Sequence, residues 1–337
     1  MNILNRGLFG AIFALSVGVP AFAQETMRIG FATVNDPLHE VTKAYAEELE
    51  ARTDGRIRVE IFPAGQLGNI PNQIESIRIG AQAAFVSPAG FFSGLNPNFG
   101  VVDAPGIYRS PWHAHNAVTD PVFRDRYATL AEDEGIVGAL LFNYGPTSIA
   151  ATTPVRTLEE MRGLKIRVLA SRIESELASL LGMTGVPMPF ADVVPGIQQG
   201  TIDGVRTSLT AMASGRFYAA APYVTQEETG MIIAGIWLST RWLDRLPDDL
   251  REIVLETGRD LETRATEIAM EFDANSAVLW VENGGEVIDM SEEELGELRA
   301  TLSSLGDDII GADPETADLY AVLREVLESA PDVAPTE

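Results

Sequence analysis

The chain of 337 residues contains no cysteine, which excludes disulfides, thiolate catalysis and zinc-thiolate sites together and removes any hazard from an oxidising compartment. Stability must come from packing. Histidine is almost as scarce, with His39, His113 and His115 the whole imidazole inventory. His113 and His115 stand two apart in a segment that leads into a helix-like stretch, where positions two apart diverge by about 200°. A metal shared between them is therefore disfavoured, and no metal or cofactor is expected. Neither a G-x-S-x-G elbow nor a glycine-rich phosphate loop after a strand occurs, and the 30 glycines scatter at turns. Positive charge is also short: 24 Lys and Arg stand against 49 Asp and Glu, a net charge of −25. Nucleic acid and anionic membrane surfaces are poor partners for such a chain, and the acidity fits an exported or halotolerant protein.

Long apolar runs are missing too. The longest, Leu8 to Val19, is about a dozen residues, whereas crossing a bilayer takes about 20 as helix. With Arg6 before it and Ala21-Phe22-Ala23 after it, the run reads as a secretory signal peptide over residues 1–23 with an A-x-A cleavage site. The mature chain, from Gln24, is expected to be soluble, exported to the periplasm and monomeric. Its length suits two domains of roughly 100 to 200 residues each.

The mature chain alternates strand and helix signals. Met27 to Ala32 and Arg56 to Phe62 read as strands flanking a helix over Pro37 to Arg52, whose Leu38, Val41, Tyr45 and Leu49 keep three-and-four spacing. Such a β-α-β unit requires a mostly parallel sheet. A short helix (Asn72 to Ile79) and a small-residue strand (Ala83 to Ser87) repeat the alternation. An apolar strand from Ile136 to Phe142 leads to Asn143-Tyr144-Gly145-Pro146, where the chain is expected to cross between domains. Domain I is then residues 24–144 plus about 233–272, and domain II residues 145–232 plus about 273–305. Between Asp248 and Asn283 the apolar positions keep mostly to three-and-four spacing, on the order of 50 Å of helix. The positions drift and lack regular charge pairs, so a helix packed across both domains is preferred to a coiled-coil arm. The Pro-, Asp- and Ala-rich tail, 329–337, is expected to lack order.

The run Gly163-Leu164-Lys165-Ile166-Arg167-Val168 puts an arginine inside an apolar strand. Leu164, Ile166 and Val168 face one way and Lys165 and Arg167 the other. A guanidinium that leaves bulk water is costly unless a carboxylate or phosphate-like group meets it. That group is either a protein carboxylate, such as Asp192 or Asp203, or a ligand. The overall acidity does not exclude an anionic ligand, because the Debye length of about 8 Å screens scattered surface carboxylates while a contacting arginine acts at about 3 Å. Arg206, beside the Asp203-Gly204 turn, reads on its own as a turn cation. Among the aromatics, Trp112, Tyr144, Phe190, Tyr218, Tyr223 and Trp237 are core or hinge residues of which one or two line a pocket.

Taken in order, His39 after the first strand, Phe62-Pro63-Ala64-Gly65-Gln66-Leu67-Gly68, Asp103-Ala104-Pro105, Gly163 to Val168, Pro187-Met188-Pro189, Gln198 to Gly204 and Trp242-Leu243-Asp244-Arg245-Leu246-Pro247 resemble the substrate-binding subunits of tripartite ATP-independent periplasmic (TRAP) transporters, the DctP-type family. The resemblance covers nearly the whole mature chain. It implies a two-domain α/β periplasmic binding protein fold with mixed, mostly parallel sheets, a ligand cleft between the domains and a long domain-spanning helix. It implies no enzyme, but capture of a small organic acid and delivery to the small and large subunits of a sodium-driven membrane permease.

By that resemblance Arg167 is the carboxylate-clamping arginine. Sialic-acid-type members carry a further arginine where this chain has Thr147, and an asparagine where it has Thr207 preceded by Arg206, so the second clamp is lost or moved to Arg206. Glu227 and Glu228 stand near positions that face the cleft or form a solvated surface pair. The candidate ligand-binding set is Arg167, Arg206, Thr207, Thr147, His39, Tyr144, Phe190, Glu228 and Trp237. The competing readings are an exported enzyme that uses paired carboxylates such as Glu227 and Asp203 on a small acid or sugar, and a periplasmic ligand sensor.

Overall fold

The computed structural model describes residues 24–335, so the signal peptide expected over residues 1–23 lies outside the described residues, as do the last two residues of the tail. The strands in chain order are β1 (Glu25–Gly30), β2 (Ile57–Phe62), β3 (Ala84–Pro88), β4 (Ile136–Ala151), β5 (Lys165–Val168), β6 (Thr184–Pro187), β7 (Gly204–Ser208), β8 (Tyr223–Thr225), β9 (Met231–Ser239) and β10 (Glu286–Ile288). Their order across the sheet is β2-β1-β3-β9-β4-β7-β5-β6, with β8 on β4 and β10 on β8. The two flanks are parallel, as β-α-β crossovers require: β1 with β2 and β3, β5 with β6 and β7. The centre, where β9 and β4 run, is antiparallel.

The 16-residue β4 joins the two halves. Up to Pro146 it pairs with β9, Pro146 opposite Met231; from Thr147 it pairs with β7, Thr147 opposite Ser208. Register shifts between Gly138 and Leu140 and between Asn143 and Gly145 bend it before the change of partner. Gly204 starts β7 because a side chain there has no room: a Cβ would lie 2.2 Å from the Ala150 carbonyl oxygen.

The helices form where caps and apolar stripes agree. Asp36 caps Pro37–Arg52, accepting the His39 N–H, with Pro37 in the first turn. Thr157 caps Leu158–Met161, accepting the Glu160 N–H, and delivers the chain into β5. One apolar core lies between β1, β3, β9, β4 and helices Pro37–Arg52, Asp248–Asp260 and Glu262–Glu282. A second, built around Val205, Val224 and Trp280, lies under β7 and β8. The opposite sheet face carries a third, continuous core that includes Trp237, Ile166 and the C-terminal helices Glu292–Leu302 and Ala317–Ser329.

Two expectations are corrected. The span 248–283 is two helices, Asp248–Asp260 and Glu262–Glu282, separated at Leu261, whose φ of −93° and ψ of −3° leave the helical ladder. The break has two local causes. Gly258 lets the first helix approach β4 so closely that a Cβ would lie 2.3 Å from the Ala139 carbonyl oxygen. Glu262 is drawn into the core, where its carboxylate accepts from Arg124 Nε at 2.7 Å and from the Leu141 N–H at 3.0 Å. The second helix alone spans both cores, Ala265 and Ala269 in one and Trp280 in the other. The tail beyond Ser329 is also tied down: Arg109 donates to the Ala330 carbonyl at 3.1 Å, and Asn116 to those of Pro331 and Val333 at 2.9 Å. Among the described residues no helix is long and apolar enough to cross a membrane.

Candidate functional site

The two sheet halves enclose a cavity beside the point where β4 changes partner. Thr33, Ser87 and Phe91 line it from the β1–β3 half, Arg167, Leu169, Phe190 and Thr207 from the β5–β7 half, and Tyr144 from β4 itself. About 30 Å³ of it is accessible to the centre of a water molecule, room for about two waters. That is smaller than the volume of a small organic acid. An apolar groove of about 390 Å³ that includes Ile74, Leu95, Pro187 and Met188 shares Ile70 and Phe91 with the cavity wall and opens to solvent.

Arg167 is 1 % exposed. Its Nε donates to the Met188 carbonyl at 3.3 Å, its guanidinium carbon lies 5.6 Å from the Phe91 ring centroid and 6.0 Å from that of Phe190, and its buried Nη2 has no hydrogen-bond partner among the described residues. Burial lowers it to about 10, against the raising effect of Glu174, so it remains a cation at neutral pH. Neither Asp192 nor Asp203 pairs with it. Asp203 Oδ2 accepts the Lys165 N–H at 2.8 Å instead, and Asp192 is exposed at the start of Val193–Gln198.

Arg206 is equally buried, but each of its three guanidinium nitrogens is already hydrogen-bonded. Nε donates to Glu227 Oε1 at 2.9 Å, Nη1 to Glu174 Oε1 at 2.5 Å, and Nη2 to Thr147 Oγ1 at 2.9 Å and Thr229 Oγ1 at 3.2 Å. Burial pulls its basicity down, but Glu174 and Glu227 outweigh that and raise it. Of the two alternatives for the second clamp, lost or moved to Arg206, the move is therefore contradicted, as is the reading of Arg206 as a turn cation: each of its guanidinium nitrogens already donates inside the protein. Thr147 is part of the same network, its hydroxyl also receiving the Gly230 N–H at 3.1 Å.

Four of the nine candidates, Arg167, Thr207, Tyr144 and Phe190, meet at the cavity, whereas Arg206, Thr147, His39, Glu228 and Trp237 do not line it. His39 sits in the first turn of its helix, where Nδ1 accepts the Asn35 N–H at 3.2 Å and its ring lies 5.3 Å from that of Phe31. Glu228 is exposed, and its neighbour Glu227 is buried against Arg206, so the two are neither a surface pair nor a cleft pair. Trp237 is fully buried among Phe92 and Phe99, with its indole N–H on the Ser87 carbonyl at 3.1 Å. Glu227 and Asp203, the paired carboxylates of the enzyme reading, are not brought together, since one is locked to Arg206 and the other caps the start of β5. His113 and His115 take separate partners, the Leu327 carbonyl and the Thr266 hydroxyl, both at 3.0 Å.

Sequence reasoning missed Thr33, Ser87, Asp36, Glu174 and Asp103. Asp36, fully buried, accepts from the Thr33 hydroxyl at 2.6 Å and the Tyr144 hydroxyl at 2.8 Å. The detectable signal was an Asp directly before Pro37 at a helix start, which marks a cap. Asp103 is buried near Glu174, and burial first, then Glu174, pushes it up to about 8. Glu174 had one signal: it follows Ile173 on the apolar stripe of Arg172–Leu180, where a surface acid is out of place.

Residues 30–311 match the sequence profile of DctP, bacterial extracellular solute-binding protein, family 7. Among similar proteins, the 2,3-diketo-L-gulonate-binding periplasmic protein YiaO of Escherichia coli is 25 % identical over 309 residues, 91 % of this chain and 93 % of its own. The C4-dicarboxylate-binding periplasmic protein DctP of Rhodobacter capsulatus is 26 % identical over 258 residues, covering 74 % and 77 %. The crystal structure of a TRAP periplasmic solute-binding protein from Xanthobacter autotrophicus, with bound β-D-galacturonate, superposes with a TM-score of 0.81 at 25 % identity, covering 89 % of this chain and 99 % of that one. With the profile spanning most of its length, this chain belongs to the DctP family of TRAP-type periplasmic solute-binding proteins.

Proposed function

We propose that this protein is exported to the periplasm, captures a small organic acid in the cavity between its two sheet halves, and hands it to the subunits of a sodium-driven TRAP permease. Arg167 carries the reading. A cation held out of water with an unused guanidinium nitrogen on a cavity wall is costly in isolation and complementary to a carboxylate. Such a charge-assisted pair contributes roughly 1.5 to 3 kcal/mol and fixes the ligand's orientation. Tyr144, Thr207 and Phe190 complete the wall around it. The halves on either side of Pro146 and Thr147 act as the two lobes, residues 24–144 with 233–272 and residues 145–232 with 273–305. They open to admit the acid, and contacts from both walls then favour closure.

The test is thermal unfolding of the mature protein against a panel of organic acids. An acid at a hundred times its dissociation constant stabilises the native state by about 2.7 kcal/mol. Arg167→Ala is expected to lose that stabilisation, and an undiminished shift with the same acid refutes the clamp.

A further inference from the structure

Three hydroxyls on the cavity wall have already spent their hydrogens inside the protein. Thr33 Oγ1 and Tyr144 Oη both donate to Asp36 Oδ2, at 2.6 and 2.8 Å, and Ser87 Oγ donates to the Pro88 carbonyl at 3.1 Å. A hydroxyl has one hydrogen and two lone pairs. What these three present to the cavity is therefore acceptor capacity. Ser208 lies beside the Tyr144 oxygen and competes for it, so Thr33 and Ser87 are the freer acceptors. Arg167, on the opposite half, offers only donors.

Asp36 sets this polarity. It is fully buried, and besides the two hydroxyls it takes the His39 N–H on Oδ1 at 3.2 Å, so both of its carboxyl oxygens act as acceptors. Burial holds its pKa above the ordinary carboxylate value, against the lowering effect of Thr33, Tyr144 and the His39 N–H, so the polarity of the wall rests on where the hydroxyl hydrogens point. A ligand group that reaches this wall has to bring hydrogens. A hydroxyl does so; a second carboxylate meets only acceptor oxygens, leaving lone pairs unpaired out of water, which costs more than a missing contact.

We propose that Asp36, by holding the hydrogens of Thr33 and Tyr144, makes the β1–β3 wall of the cavity hydrogen-bond accepting, so that the solute is a hydroxylated monocarboxylic acid in preference to a dicarboxylate. The inference rests on the organic-acid reading and narrows it. Asp36 is a positioning residue here, acting on the solute through two hydroxyls.

Titration calorimetry of the mature protein with D-galacturonate and with succinate tests both levels. The wild type is expected to bind galacturonate at least 10-fold more tightly than succinate. In Asp36→Asn the new amide donates to one of the hydroxyl oxygens, which frees that hydroxyl's hydrogen to face the cavity, and the ratio is expected to fall several-fold towards unity. Thr33→Val, which removes one acceptor without touching the helix cap, is expected to narrow the ratio as well, and it decides the matter if Asp36→Asn does not fold. Succinate bound as tightly as galacturonate by the wild type, or a ratio unmoved by both substitutions, overturns the inference while leaving the organic-acid reading standing. Failure of both acids to bind the wild type overturns the two together.

Discussion

Arg167 stands opposite Val205 in the parallel pairing of β5 with β7, one step out of register with Arg206, so the two arginines leave the sheet from opposite faces. That one-residue offset separates their fates. On one face Arg206 lies under the helix Arg172–Leu180 and closes ion pairs with Glu174 and Glu227. On the other Arg167 borders the cavity with an unused nitrogen.

Arg206→Met should therefore be severely destabilising, by about 3 to 5 kcal/mol, because it leaves Glu174 and Glu227 buried without a cation. Urea unfolding checks the size of the loss. Adding Glu174→Gln and Glu227→Gln to the same variant should recover much of it, since removing every charge of a buried network costs far less than removing one.

Arg167→Met should behave differently in the absence of ligand. The lost cation contacts with Phe91 and Phe190 are worth about 0.5 to 2 kcal/mol, and relief from holding an incompletely paired charge out of water offsets them. The unfolding midpoint of the ligand-free variant is expected within about 1 kcal/mol of the wild type, well short of the Arg206→Met loss. A loss of several kcal/mol assigns Arg167 a structural pairing role instead.

The alternating elements were legible because their signals are local. Period-two and period-3.6 apolar patterns, an Asp-Pro cap and a T-x-x-E capping box are each contained in a few residues, and the strand orientation of Arg167 follows from alternation alone. Partnership was not legible. Whether Arg206 is a turn cation, a clamp or an ion-paired core group depends on Glu174 and Glu227, 32 and 21 residues away in the chain. The break at Leu261 has the same origin: the helical periodicity continues through it, and only the reach of Arg124 to Glu262 and the approach of Gly258 to Ala139 interrupt the helix.

Trp237 illustrates the limit for aromatics. Its place in an apolar strand is common to core and pocket residues, and only the surrounding rings decide. Trp237→Ala should cost about 3 to 5 kcal/mol through the cavity it leaves. Trp237→Phe is expected to lose less than the alanine variant while keeping the ligand-induced thermal shift, because the indole packs behind Ser87 and outside the cavity. Loss of that shift in a well-folded Phe variant places the ring in the site after all.

Asp103 makes stability depend on pH in a definite direction. In the folded chain burial and the nearby Glu174 push it up to about 8, whereas in the unfolded chain it titrates near the ordinary carboxylate value of about 3.9. Below about pH 4 both states hold the proton and its contribution is fully present. Between pH 4 and 8 the unfolded state has released the proton that the folded state keeps, so the native state binds more protons and stability falls as pH rises, by at most about 1.4 kcal/mol per unit. Above about pH 8 the loss is complete. Glu262, held at about 7, and Asp273, at about 6, slope the same way, so only a difference between proteins isolates Asp103. Asp103→Asn removes the titration, and its stability relative to wild type should rise steadily from pH 5 through 6.5 to 8 in urea unfolding. Two curves that stay parallel over that range show that Asp103 titrates alike in the folded and unfolded chain.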